Sequence, residues 1–204
     1  MIARLSEALS LPLATRNLML TNAGYTPSYT RRSWDDEEMA PIRAALSHTL
    51  TNHAPYPAFA IDRMWKVLQM NTVAEQLFGV LDVTVGDSLI KLLLSETLPD
   101  FVENWPEVAH HTAVRLRTES ASQGGITLFD ETANKLTQTS YAIPERSGPV
   151  LPAIYKVGDL RLSLFTTIAQ FGTPEDITLD DVKIELFFPT DVETDEVLRA
   201  MAAS

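Results

Sequence analysis

Residues 56–79, YPAFAIDRMWKVLQMNTVAEQLFG, decide the fold of this chain. Phe59 and Ile61 alternate with Ala58, Ala60 and Asp62, the period-two pattern of a strand. Asp62-Arg63-Met64 interrupts the run, and Trp65 to Met70 resumes an extended pattern rich in Val, Leu and aromatic side chains, so the segment reads as a β-hairpin. Asn71 then precedes Val73, Ala74, Leu77 and Phe78, apolar positions at helical spacing. An Asn just ahead of such a run suits the N-cap, where its side-chain oxygen accepts from a backbone N–H that helix geometry leaves unpaired.

Upstream, Pro55 and Pro57 stop a helix whose Ile42, Ala45, Leu46 and Leu50 form one apolar stripe up to Asn52. The acidic Asp35-Asp36-Glu37-Glu38 ahead of it favours a helix start, a simpler explanation than a metal site. A polar connector from Thr26 to Asp36 separates this helix from two short ones, Ile2 to Leu9 and Ala14 to Asn22, the second ended by Ala23-Gly24.

Downstream, Val80 to Val85 is a connector, and Ser88 to Leu94 reads as a short helix with Leu89, Leu92 and Leu93 inward. Glu107 to Ser120 is the clearest helix, with Ala109, Thr112, Ala113 and Leu116 on one face, and Gln123-Gly124-Gly125 ends it. A further helix is predicted over Thr127 to Thr139. Ala153 to Val157 and Leu160 to Ala169 flank Gly158-Asp159, a two-residue turn that makes a second hairpin. Val182, Ile184, Leu186 and Phe188 alternate with Lys183 and Glu185, so this last strand is expected to bury one side only. Thr194 to Ala202 closes the chain as a helix. Two hairpins and a single strand give an α+β fold, a five-stranded antiparallel sheet covered by helices.

The 204 residues suit one well-cored domain with a small appendage. The lack of cysteine removes disulfides, thiolate metal sites and cysteine nucleophiles. No apolar run is long enough for a membrane span and no signal peptide is legible, so a cytoplasmic protein without membrane contact is expected. A net charge of −11 opposes binding to nucleic acid by the chain as given.

Enzymatic motifs are weak. His48 and His53 are five apart and His110 and His111 adjacent, neither a ligand spacing. Glu107 with His111 and Arg115 with Glu119 are i,i+4 neighbours, which solvent-exposed ion pairs explain. Arg115 and Arg117 are still the best cations near the sheet for an acidic ligand group. No nucleophile elbow or phosphate-cradling glycine loop occurs, and no cofactor is expected. Aromatic side chains near strand ends, Trp65, Phe78, Trp105, Phe165 and Phe171 among them, suit either simple core filling or the wall of an apolar cavity. Phe165 and Thr167 fall on the strand face opposite Leu162 and Leu164.

Asp62, Trp65, Asn71, Ala74, Phe78 and Gly79 stand where the PAS-like C-terminal ligand-binding domain of MmyB-like regulators, in the XRE helix-turn-helix family, has its Asp-x-x-Trp hairpin and Asn-started helix. Asn104-Trp105-Pro106-Glu107 leading to Arg115-Leu116-Arg117, and LRLSLFTTIAQFGTPEDITLDDVKIELFFPTD from Leu160 to Asp191, resemble the same family in the same order. Residues from Gly124 to Leu151 match it only loosely.

The resemblance implies three parts: residues 1–30, the end of a helix-turn-helix domain whose recognition helix would lie before Met1; 31–54, a connector and helix; and 55–204, the ligand-binding domain. The alternative is that the first two helices simply lead one domain. It further implies a cavity for a small apolar or fatty-acid-like ligand, DNA contact only through the helix-turn-helix part, and room for a homodimer. The expected ligand contacts are Trp65, Met70, Asn71, Phe78, Trp105, His111, Arg115, Phe165, Thr167 and Phe171. Two other functions fit the residues: a protein-interaction module with a filled core, and a small cone-type α+β enzyme with a buried carboxylate base.

Overall fold

The computed structural model describes residues 1–138 and 149–203. Five strands form one sheet: β1 (Ala58–Ile61), β2 (Val67–Met70), β3 (Ala153–Val157), β4 (Leu160–Ala169) and β5 (Lys183–Pro189). Their order is β2-β1-β5-β4-β3, every neighbour antiparallel, so the last strand joins the two hairpins as a PAS-like sheet requires. The second hairpin has the predicted bounds. The first differs at its turn, because Trp65 lies outside the strand with φ of 60°. That left-handed backbone is rare for a bulky residue. It is held by the turn: the Asp62 side chain accepts from the Met64 and Lys66 amides (2.7 and 2.9 Å), and the Asp62 carbonyl accepts from the Trp65 amide.

The helices are α1 (Ile2–Ala8), α2 (Leu13–Asn22), α3 (Ala40–Asn52), α4 (Thr72–Gly79), α5 (Leu89–Leu93), α6 (Leu98–Phe101), α7 (Trp105–Ser122), α8 (Thr127–Leu136), α9 (Ile177–Asp180) and α10 (Val192–Ala202). Helix α7 runs two residues beyond its predicted span at each end, because Trp105 and Pro106 open its first turn. Helix α8 ends at Leu136, and Thr139, its predicted last residue, lies outside the described residues. The short α6 and α9 have no counterpart in the sequence pattern. Among the described residues, no helix is long and apolar enough to cross a membrane.

The sheet has two unlike faces. On the outer face Ala58 and Ala60 are small enough for α3 to lie close, and Leu46 and Leu50 pack there with Val182 and Ile184. Burying each of those leucines contributes roughly 2 kcal/mol. On the inner face Phe59, Ile61, Leu162, Leu164 and Phe187 meet α4, α7 and α8. The stripe Trp105, Ala109, Ala113, Leu116, Ser120 buries one side of α7, and Phe129, fully buried on α8, lies edge-on to Trp65 at 6.1 Å.

The expectation for β5 is overturned. Glu185 is only 6 % exposed and Lys183 is largely covered, since β5 is a central strand with helices on both faces. Its polar residues therefore face the inner layer, not water. In α5 it is Ile90 that is fully buried, while Leu89, Leu92 and Leu93 are half-buried against the core.

The N-terminal helices touch this body at α9. Asp180 accepts from the Leu13 amide at 2.7 Å, and Asp181 pairs with Arg31 at 3.0 Å. Asp176 accepts from the Thr30 hydroxyl, the Arg32 guanidinium and the Thr178 amide, tying the connector to the segment before β5.

Candidate functional site

A hollow of about 300 Å³ remains between the inner sheet face and the helices. Its floor is built by Phe59 of β1, Val67 and Met70 of β2, Ala153 and Tyr155 of β3, Thr166 of β4, and Glu185 and Phe187 of β5. Its lid comes from Phe78 of α4, Leu89, Leu92 and Leu93 of α5, and Trp105, Val108, His111, Thr112 and Arg115 of α7. Trp65, Val83, Leu98, Val102 and Leu151 close the sides. The size is at the lower end of small-ligand sites, and a mostly apolar wall with a few polar groups is their usual make-up.

One wall is a single face of α7. Residues at i, i+3 and i+4 share a helix face, so Trp105, Val108, Thr112 and Arg115 fall in one line above the floor. An aromatic cluster stiffens one end: Phe78 lies 5.7 Å from Phe59, 5.5 Å from Phe187 and 5.8 Å from Tyr155 between ring centres.

The other end is ionic. Arg115 donates from Nε to Glu119 at 2.8 Å and from Nη2 to Glu185 at 2.5 Å, with its guanidinium 4.4 Å from the Trp65 ring centre. Glu119 also receives Trp65 Nε1 at 2.8 Å and Lys183 Nζ at 2.6 Å. Burial works against the Glu119 charge, but the Arg115 charge and hydrogen bonds from Lys183, Arg115 and Trp65 outweigh it and hold the carboxyl below the usual glutamate range. Burial likewise opposes the Arg115 charge, and Glu185 and Glu119 more than compensate, raising its pKa further. Burial, joined by the Glu185 charge, pushes the Tyr155 phenol well up, so it stays protonated.

Among the residues expected from sequence to contact a ligand, the hollow brings together Trp65, Met70, Phe78, Trp105, His111 and Arg115. Asn71 stands apart from it as the N-cap of α4. Its Oδ1 accepts from the Ala58 and Ala74 amides at 3.0 Å each, and its Nδ2 donates to the Leu50 and Tyr56 carbonyls at 3.1 and 2.8 Å. Phe165 and Thr167 lie on the outer face, where Phe165 stacks on Phe188 at 5.5 Å. Their parity follows the sequence pattern, and it is Thr166 that reaches the hollow. Phe171 packs with the outer cluster. Arg115 and Glu119 are not the solvent-exposed pair that their spacing suggested: their side chains are 26 % and 13 % exposed within the four-residue ionic cluster. Glu185 and Tyr155 were missed. A glutamate amid apolar neighbours in the strand expected to join two hairpins was the available signal.

The site is thus a hollow between a five-stranded antiparallel sheet and a helical lid. Residues 42–201 match the MmyB-like transcription regulator ligand binding domain, and the chain belongs to that family, one of regulatory ligand-binding domains. Among solved structures it is similar to the PAS domain from Bordetella pertussis BvgS, with 16 % identity over 78 % of this chain and 94 % of that one, and a TM-score of 0.35. No curated protein matches it significantly.

Proposed function

We propose that the chain is the effector-sensing part of a cytoplasmic XRE-type regulator, in which a small, apolar, acyl-chain-like ligand enters the hollow and changes how a DNA-reading helix-turn-helix unit is held. The observation that carries this is the unfilled, mostly apolar space of about 300 Å³ against the central strand β5. At about 30 Å³ per water-sized group, it holds on the order of ten non-hydrogen atoms.

Helices α1 and α2 are assigned to the helix-turn-helix unit. The route to them is short: β5 carries Glu185 and Phe187 into the hollow, and the segment just before it presents Asp180 to Leu13 and Asp181 to Arg31. A ligand alters the seating of α1 and α2 only to the extent that it binds the two arrangements with different affinity.

Native mass spectrometry of the purified chain tests this, alongside thermal shift with eight-carbon amphiphiles. The expected result is a retained or added small molecule whose binding is lost in Val108→Phe, which fills the space. A bare mass with no shift by any probe leaves a filled-core interaction module in its place.

A further inference from the structure

We propose that residues 1–32 are a detachable arm, fastened to the body by a clasp of Asp176, Asp180 and Asp181 in which Asp176 is the keystone. The arm comprises α1, α2 and the connector that follows them, and its fastening stands whether or not the hollow takes a ligand.

The arm is stitched within itself. Asn17 Oδ1 accepts from the Ser28 and Tyr29 amides at 2.9 and 3.0 Å, and its Nδ2 donates to the Tyr29 carbonyl at 2.7 Å, so α2 and the connector move together. The seam with the body is of another kind. No residue before Trp34 belongs to either apolar cluster, and Leu13 is the one buried apolar side chain in that stretch. A polar cleft of about 800 Å³ is lined by Glu7 and Arg16 of the arm and by Gln123, Thr173 and Lys183 of the body, so much of the seam is open.

Charge takes the place of the missing apolar contact. Residues 1–32 carry Arg4, Arg16, Arg31 and Arg32 against Glu7, a net charge of +3, and the rest of the chain carries −14. Four of those acids, Glu175, Asp176, Asp180 and Asp181, stand within seven residues. Asp176, 6 % exposed, accepts from the Thr30 hydroxyl at 2.9 Å, the Arg32 amide at 3.2 Å and Arg32 Nη1 at 3.0 Å. Beside it the Thr178 hydroxyl donates to the Arg32 carbonyl at 2.5 Å and the Ile177 amide to the Thr30 carbonyl at 2.8 Å. Hydrogen bonds to an ionised, covered carboxylate are the strong ones, whereas an ion pair such as Arg31–Asp181, whose arginine is 43 % exposed, contributes little alone. The fastening is thus concentrated on one side chain, with the Leu13 amide on Asp180 as its outer stitch.

The chain has no cysteine, so paired nitroxide labels can be placed freely. Pulsed electron-resonance distances between Leu18→Cys on α2 and Val80→Cys after α4, both exposed positions, report the seating of the arm. Val80→Cys with Val192→Cys, both exposed and both in the body, is the control. In the parent at low salt one narrow arm distance is expected. Asp176→Asn with Asp181→Asn, which keeps the side-chain shapes and removes the charges, is expected to abolish that narrow distance in most molecules and leave a broad distribution, with the control pair unmoved. Arg31→Gln with Arg32→Gln, made on the solvent side of the clasp, reads the same release should the buried substitutions impair folding. Screening by 1 M sodium chloride is expected to shift the parent part of the way. An arm distance that stays narrow in the variants, or a control pair that broadens along with it, overturns the clasp and makes α1 and α2 a fixed part of the body.

Discussion

Asn71 and Glu185 are equally buried, each 6 % exposed, yet they are treated in opposite ways. The corner around Asn71 satisfies its amide with two accepted and two donated hydrogen bonds, joining α3, β1 and α4. The cluster around Glu185 leaves one carboxylate oxygen without a hydrogen-bond partner among the described residues, at the edge of an open space. A polar group serving only the fold is saturated by the fold. One with capacity left over, facing a hollow, is not accounted for by the fold alone.

The comparison can be broken in several ways. The largest effect is expected from Trp65→Ala, which removes a core indole, the Glu119 hydrogen bond and the surface on which Arg115 lies. It should cost about 4 kcal/mol in urea unfolding. Unchanged stability with lost probe binding would make the ring a ligand contact and little else. Asn71→Ala should cost about 3 kcal/mol, since the α4 cap and three further hydrogen bonds go together, while probe affinity of the folded fraction stays the same. A loss of affinity there would erase the distinction between the two regions.

Acid should separate them next. The Asn71 corner is uncharged, but the Glu119 carboxyl has a folded pKa below its unfolded one. Its stabilisation is therefore complete above the ordinary glutamate value of about 4.3 and is lost as pH falls through the lowered value. Urea midpoints below about pH 5 should fall less steeply in Glu119→Gln than in the parent. A parallel profile would mean that the cluster contributes nothing there. The smallest effect belongs to Thr167→Ala on the outer face, expected within about 0.5 kcal/mol and without change in probe affinity.

What the sequence made legible was whatever is enforced locally. Gly158-Asp159 and the flanking alternation locate the second hairpin to the residue, Asn71 announces α4, and the Ala109–Leu116 stripe announces α7. Parity also assigned Phe165 and Thr167 correctly to one face together. It could not say which face carries the hollow, because helices cover both, and so these two were placed in the wrong wall. The same blindness hid Glu185: on a central strand, a polar residue every second position does not mean water. Helices α6 and α9, four residues each, are too short for a period to show. Arg115 and Glu119 were visible as a pair, but their partners Glu185 and Lys183 lie more than sixty residues away, beyond the reach of any spacing rule.

The placement of the indoles has an optical consequence. Trp65 and Trp105 border the hollow, whereas Trp34 packs with the outer cluster under α3. With Trp34→Phe, excitation near the red edge of protein absorbance would report from two rings that both touch the same small volume. The chain thus carries its own unlabelled fluorimeter, and filling of that volume can be followed by emission wavelength and quenching in real time.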